Sequence, residues 1–328
     1  GGGAQVVLLD YADLRAGKDL TAQVAEAFGE AGLGICLVRG VPGLPEARAR
    51  LLPLARRLAK LPEAALARYE HQASSYCFGW SRGREKFQGK ADVTKGSFYA
   101  NPLFEDPADG DEEVRAKFPY AASRNIWPEE LPELREAFKE LAGIVYETAK
   151  PLVRQCDSLV ASRHGAAAEG RLFGTSFARS RMCLGRLLHY YAMGPEDDTA
   201  SWCGWHNDNS TITGLVPAMW LDDATGAEVA GVETTGGLHV QDRSGTVVKV
   251  SIPADCLGFQ IGEAAQILSG GVLCATPHFV KGHRAAADAA PLSRETFALF
   301  IEPQWDCPIG PPEGVGYEAV LRGSESAL

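Results

Sequence analysis

Apolar positions change their spacing along this chain near residue 170. Before it they recur mostly at three- and four-residue steps, the period of an amphipathic helix; after it they alternate over short runs, the period of a strand. Gln5-Val6-Val7-Leu8-Leu9-Asp10, apolar and β-branched, reads as a short buried strand. Leu20 to Ala31 reads as a helix with Val24, Ala27 and Phe28 on one face, and Gly32-Leu33-Gly34 breaks it before a second strand, Ile35-Cys36-Leu37-Val38. The turn Gly40-Val41-Pro42-Gly43 leads into helical pattern from Leu44 to about Tyr69, interrupted near Pro62. Glu129 to about Arg163 is the longest helical signal, with Leu134, Phe138, Leu141, Val145 and Leu152 on one face and a kink expected at Pro151. It has the pattern of a scaffold helix laid against a sheet.

The strand signals after Gly170 are Leu187 to Tyr191, Thr211 to Val216, Gly237 to Asp242, Val247 to Ile252, Leu257 to Ile261, Gln266 to Leu268, Val272 to Cys274 and Phe297 to Ile301. Many short strands punctuated by Gly, Asp, Ser and Pro predict a β-sandwich or barrel. Between the two regions, His71 to Pro128 loses periodicity and reads as a long irregular segment. Its basic residues Arg82, Arg84, Lys86, Lys90 and Lys95 are interleaved with Trp80, Phe87, Phe98 and Tyr99. The favoured reading is a solvated loop whose aromatics pack on the core, the other a surface facing an acidic or aromatic substrate. The organisation expected is α+β: a helical region over 1–170 and a β-rich core over 171–328, packed as one unit.

Composition narrows the function. A net charge of −10 and a pI near 5.3 argue against a general binder of nucleic acid or anionic membrane. The eight cysteines are scattered without a C-x-x-C pair, which suits reduced thiols in an intracellular protein. No run approaches the ~20 apolar residues that span a bilayer. A cytoplasmic monomer acting on a small molecule is therefore expected. The start, Gly-Gly-Gly-Ala, reads as trimmed and is compatible with a removed targeting peptide.

The candidate chemistry lies in Trp205-His206-Asn207-Asp208. In extended chain, residues i and i+2 point the same way, so His206 and Asp208 can converge on one ion while Asn207 turns aside. A third ligand must come from another strand, and His278 in Thr276-Pro277-His278-Phe279 is the candidate. Two His and one carboxylate hold one face of an Fe(II) ion and leave other positions open. The bare H-x-D pair also recurs by chance, so its context decides.

That context resembles a known family. Glu26 to Pro42, Asn125-Ile126-Trp127-Pro128, His206-x-Asp208 with Ile212-Thr213, Gly237-Leu238-His239-Val240, Gln260-Ile261-Gly262-Glu263 and Thr276-Pro277-His278 follow, in order, the motifs of the isopenicillin-N-synthase-like branch of the Fe(II)/2-oxoglutarate-dependent oxygenases. The resemblance implies a double-stranded β-helix, or jelly roll, with iron held by His206, Asp208 and His278. It implies 2-oxoglutarate and O2 as cosubstrates, with ascorbate as an accessory reductant. It assigns Arg294 and Thr296, in Arg294-Glu295-Thr296, to the distal carboxylate of 2-oxoglutarate, with Arg284 as the rival arginine and Arg294 taken to lie just before the Phe297–Ile301 strand. It assigns Tyr191 to the same cosubstrate.

The chain also departs from the family pattern. His189 and Ala192 replace the usual Asn and Pro, and Asp222 to Thr235 and Gly282 to Pro291 look like insertions. His71, His164, His239 and His283 have no partner at ligand spacing and are taken as structural or exposed. Other readings are an oxidase that uses no oxoacid, a cupin-like enzyme with another metal, and an inactive binding module. The expected substrate is a small hydrophobic or carboxylated metabolite against Phe98, Tyr99 or Phe259.

Overall fold

The structure is a computed structural model that describes residues 6–84, 86–87, 90–194, 201–232, 234–284 and 290–321, with only the backbone of Lys86, Phe87, Lys90 and Leu321. Its strands, in chain order, are β1 (Val7–Asp10), β2 (Ile35–Arg39), β3 (Gly79–Arg82), β4 (Lys86–Phe87), β5 (Lys90–Ala91), β6 (Lys95–Ala100), β7 (Cys183–Tyr190), β8 (Ser201–His206), β9 (Ile212–Leu215), β10 (Met219–Asp222), β11 (Gly237–Gln241), β12 (Val247–Lys249), β13 (Cys256–Ile261), β14 (His278–Lys281) and β15 (Leu292–Ile301). Among the described residues they form a nine-stranded sheet, β1-β2-β13-β9-β15-β7-β6-β3 with β10 also on β15, and a four-stranded sheet, β12-β11-β14-β8. Strands β4 and β5 pair only with each other. Leu188 and Tyr190 of the large sheet pack on Trp202 and Val280 of the small one, and Ile35 packs on Leu238 and Val240, so the two sheets face each other.

The outer face of the large sheet is covered by the helix Leu134–His164, which runs unbroken through Pro151 and buries Leu134, Phe138, Leu141, Val145 and Leu152 as its periodicity predicts. Each such apolar side chain, fully buried, stabilises by ~2 kcal/mol. Phe138 stands edge-on to Phe297 of β15 at 5.0 Å and to Phe98 of β6 at 5.9 Å. The helix lies close because β9 carries Gly214, where a Cβ would come within 2.2 Å of Val145. The helix Leu44–Ala59 packs beside it, and the chain breaks near Pro62 as expected before the short helix Glu63–Leu66.

Four expectations need correction. Gln266–Leu268 is the end of a helix, Glu263–Leu268, begun by Gly262 and favoured by Ala264 and Ala265. Val272–Cys274 is irregular chain tied by the Cys274 amide to the Phe28 carbonyl. The segment His71 to Pro128 is not simply loop. Its Trp80, Phe98 and Tyr99 are core residues of β3 and β6, which extend the large sheet beyond β7. Strands β8 and β14, expected at His206 and His278 but without ranges, and β10, which the pattern did not mark, complete the two sheets. Of the basic cluster, Lys95 is buried in an ion pair with Asp92, Arg84 bonds Glu70 at 2.6 Å, and Lys86, Phe87 and Lys90 have side chains outside the described residues. None of the eight cysteines is in a disulfide. Among the described residues no helix is long and apolar enough to cross a membrane.

Candidate metal centre and its cavity

His206 ends β8 and His278 begins β14, and the two are register partners across the antiparallel pair. Their ring centroids therefore lie 4.2 Å apart. Asp208, two residues past the end of β8, turns back so that Oδ1 is 3.6 Å from Nε2 of each histidine. Among the described residues this is the group of His, Cys, Asp or Glu whose ligand atoms converge, all within 4.8 Å of one another. Asp208 and His278 are buried, and the His206 side chain is 40% exposed, so the centre opens on the His206 side.

The surroundings fix these atoms. Thr213 Oγ1 donates to Asp208 Oδ2 at 2.6 Å and shares a 2.8 Å bond with Ser210, which leaves Oδ1 for the centre. His206 Nδ1 meets the Gly204 carbonyl at 2.8 Å and His278 Nδ1 the Thr276 carbonyl at 3.1 Å. A backbone carbonyl can only accept, so each ring, when neutral, carries its proton on Nδ1 and turns the Nε2 lone pair inward. The Gln260 amide nitrogen lies 2.7 Å from His278 Nδ1 and donates to the Thr276 carbonyl at 3.4 Å, which holds the side chain against the ring. The Asp208 loop is pinned by Gly262, where a Cβ would fall 2.0 Å from the Ser210 carbonyl. Burial opposes charge on His206, but the adjacent Cys203 and Asp208 push its pKa up to about 9; burial and His206 lower that of His278. A metal ion would displace the His206 proton at neutral pH.

The triad lines a cavity of about 230 Å³ between the sheets. Leu188, Leu215, Val216 and Val280 supply apolar wall, and the cations Arg186 and Arg294 also line it. Arg294 is inside β15, not before it, paired across the ladder with Tyr190. It is 9% exposed, 5.2 Å from the Tyr190 ring, and its Nη1 has no hydrogen-bond partner. Thr296 faces the same cavity, but its hydroxyl donates to the Val216 carbonyl at 2.9 Å. Arg284 is exposed and does not line the cavity.

Tyr191 is a correction. Alternation along β7 sends Leu188 and Tyr190 into the cavity and His189 and Tyr191 to the other face. There His189 Nδ1 is 2.9 Å from Glu295, Tyr191 stands edge-on to His189 at 4.4 Å, and Arg82 covers the Tyr191 ring at 4.0 Å. His189, unexpected where Asn was the pattern, is thus half of a buried pair with Glu295. Phe98, Tyr99 and Phe259 are also corrected: all are buried, and none lines this cavity. The insertion from Asp222 contributes Val232 and Thr234 to the wall; Glu233 and residues 285–289 of the second insertion lie outside the described residues. His239 stacks on Phe279, His283 bonds Thr234, His164 bonds the Ser269 carbonyl, and His71 lies apart from the triad.

No family model and no curated protein matches this chain. Solved structures do. A full-length Neurospora crassa protein in complex with alpha-KG is 18% identical, with a TM-score of 0.68, over 96% of this chain and 90% of that one. A 2OG-Fe(II) oxygenase family protein from Caulobacter crescentus is 20% identical over 93% and 88%, TM-score 0.63. Dioxygenase for auxin oxidation 1 from Arabidopsis thaliana, with 2-oxoglutarate, is 18% identical over 95% and 98%, TM-score 0.65. At these identities the likeness establishes that the chain shares their fold over nearly its whole length.

Proposed function

We propose that this chain is an Fe(II)- and 2-oxoglutarate-dependent dioxygenase with a jelly-roll core, oxidising a C–H bond of a small organic substrate and forming succinate and CO2. The observation that carries the reading is one cavity holding both a His-Asp-His triad and a buried arginine with an unpartnered nitrogen. A desolvated guanidinium with an N–H left unpartnered is costly unless an acceptor completes it, and a dicarboxylate does. The fold shared with proteins solved in complex with alpha-KG supports the same reading.

His206, His278 and Asp208 would hold the ion, an N, N, O donor set with positions left open that suits Fe(II). Iron with 2-oxoglutarate and O2 supplies the oxidation, with ascorbate keeping the metal reduced. The chain's own part is positional. The Gly204 and Thr276 carbonyls set both imidazole tautomers, Gln260 packs against the His278 ring, and Thr213 orients the carboxylate. Arg294 neutralises the distal carboxylate, with Tyr190 beside it, and the apolar wall excludes water. Residues 1–170 and 171–328 form one catalytic unit. The Neurospora crassa protein has also been solved with thymine and with 5-formyluracil, and the substrate here is taken to be of similar small size.

Purified protein with Fe(II), ascorbate and 2-oxoglutarate should release succinate slowly, and Asp208→Ala should lose bound metal and turnover together. In the presence of metal, 2-oxoglutarate or N-oxalylglycine should raise the melting temperature, since both bind the folded state. An oxidase without an oxoacid, or a cupin-like enzyme, would show neither succinate nor this shift.

A further inference from the structure

A second cavity, of about 430 Å³, lies at the other end of β15. Arg294 stands near the start of that strand and Glu302 just past its end, ~27 Å apart along extended chain. Glu302 continues the parity of Arg294, Thr296 and Ala298, the residues that face the metal cavity. The second cavity lies beside the metal centre: Asp208 lines the first and its neighbour Asn209 the second, and Glu302 is close enough to Asp208 to feel its charge. Met182, Leu184, Tyr120 and Trp305 supply an apolar and aromatic wall.

The polar groups of this wall differ in one respect. Asn101 is spent on the Leu103 and Phe104 amides and the Arg181 carbonyl, and Gln304 accepts from the Arg181 amide at 2.7 Å. The half-buried Glu302 carboxylate has no hydrogen bond or ion pair among the described residues; only its backbone amide is used, by the Met182 carbonyl. Desolvation, with the negative charge of Asp208, pushes its pKa up to about 7. A carboxylate drawn from water without a donor is costly, and here it sits on a void large enough for a small molecule.

We propose that this cavity is the substrate pocket and that Glu302 selects its occupant: a small, flat, largely apolar molecule presenting an N–H donor, as ammonium or amide, to the carboxylate. As the substrate pocket of an oxygenase it rests on the function proposed above; as a recognition site it stands on Glu302 and its walls. This sets aside the carboxylated metabolite expected from sequence, because a substrate carboxylate would meet like charge.

Phenethylamine, phenylacetamide and phenylacetate share one aromatic body and differ in the group offered, so they test the proposal on metal-free protein by equilibrium binding at pH 8. The amine and the amide should bind, and the acid should bind about tenfold more weakly than the amine or worse. Glu302→Gln, of the same shape and without the charge, should erase the preference for amine over acid and keep the amide within about threefold. Trp305→Ala should weaken all three probes alike without changing their order. Acid binding as tight as amine, unchanged discrimination in Glu302→Gln, or no binding of amine and amide would overturn the proposal. These measurements need neither iron nor 2-oxoglutarate. A discriminating pocket in a protein that releases no succinate would count against the oxygenase reading alone, and succinate release with an undiscriminating pocket against Glu302 alone.

Discussion

The cavity lined by Asp208 and the one lined by its neighbour Asn209 carry opposite signs. The inner one holds Arg294, a buried cation with an unpartnered nitrogen; the outer one holds Glu302, a carboxylate with no donor. Each is a group that folding leaves in deficit, and each deficit names the charge of what completes it. The difference teaches where the chain is constrained by chemistry and where it is free. An oxoacid always brings a carboxylate, so a cation inside the shell is a fixed requirement. The outer group answers only to the particular substrate.

The largest effect should come from the inner end. Arg294→Leu removes one partner of a desolvated charge pair, typically worth ~2–5 kcal/mol, so the KM for 2-oxoglutarate should rise at least about thirtyfold. Phenethylamine binding at the outer end should be unchanged, and a parallel loss of both would dissolve the contrast between the cavities.

Next comes stability against pH. Glu302 has a pKa near 7 when folded against an ordinary value of 4.5, so the folded state keeps a proton that the unfolded state releases between these values. Stability conferred by that proton is present below pH 4.5 and is lost as pH rises through 7. Glu302→Gln should therefore melt close to the parent at pH 4.5 and be more stable at pH 8, by ~2 kcal/mol. A gap independent of pH, followed by thermal denaturation, would show that the carboxylate is not desolvated.

A smaller effect separates two adjacent tyrosines. Tyr190→Phe should raise the KM for 2-oxoglutarate by about fivefold, the worth of one hydrogen bond, while Tyr191→Phe leaves it unchanged. A loss in Tyr191→Phe with none in Tyr190→Phe would mean that β7 presents the other face to the cosubstrate.

The tyrosines also show what could be read without coordinates. His206 and Asp208 stood out because extended chain turns residues i and i+2 the same way, whereas His278 was settled on, and Arg294 found, only through the family resemblance; the structure brings the first three together and lines the same cavity with Arg294. Tyr191 was misassigned because two like residues in succession differ only in parity, and parity is set by the β7–β15 register, which no local pattern encodes. Strand β8 was expected only as extended chain at His206, without a range, because Ser201-Trp202-Cys203-Gly204-Trp205 mixes small, polar and aromatic residues without clean alternation. Strand β6 lay hidden among basic residues, its Lys95 buried through an ion pair. Glu302 could have been found by counting: it keeps step with Arg294 in twos, but only a strand known to reach Ile301 gives that count meaning.

The large sheet has a further consequence. Strand β13 is bordered by β2, and β7 by β6, both supplied by the first third of the chain. A fragment starting at Gly170 would bare two rows of unsatisfied amides and carbonyls along strands rich in leucine and phenylalanine. It should self-associate edge to edge when expressed alone, visible as large species by light scattering, and co-expression of residues 1–169 should suppress this by restoring the missing neighbours.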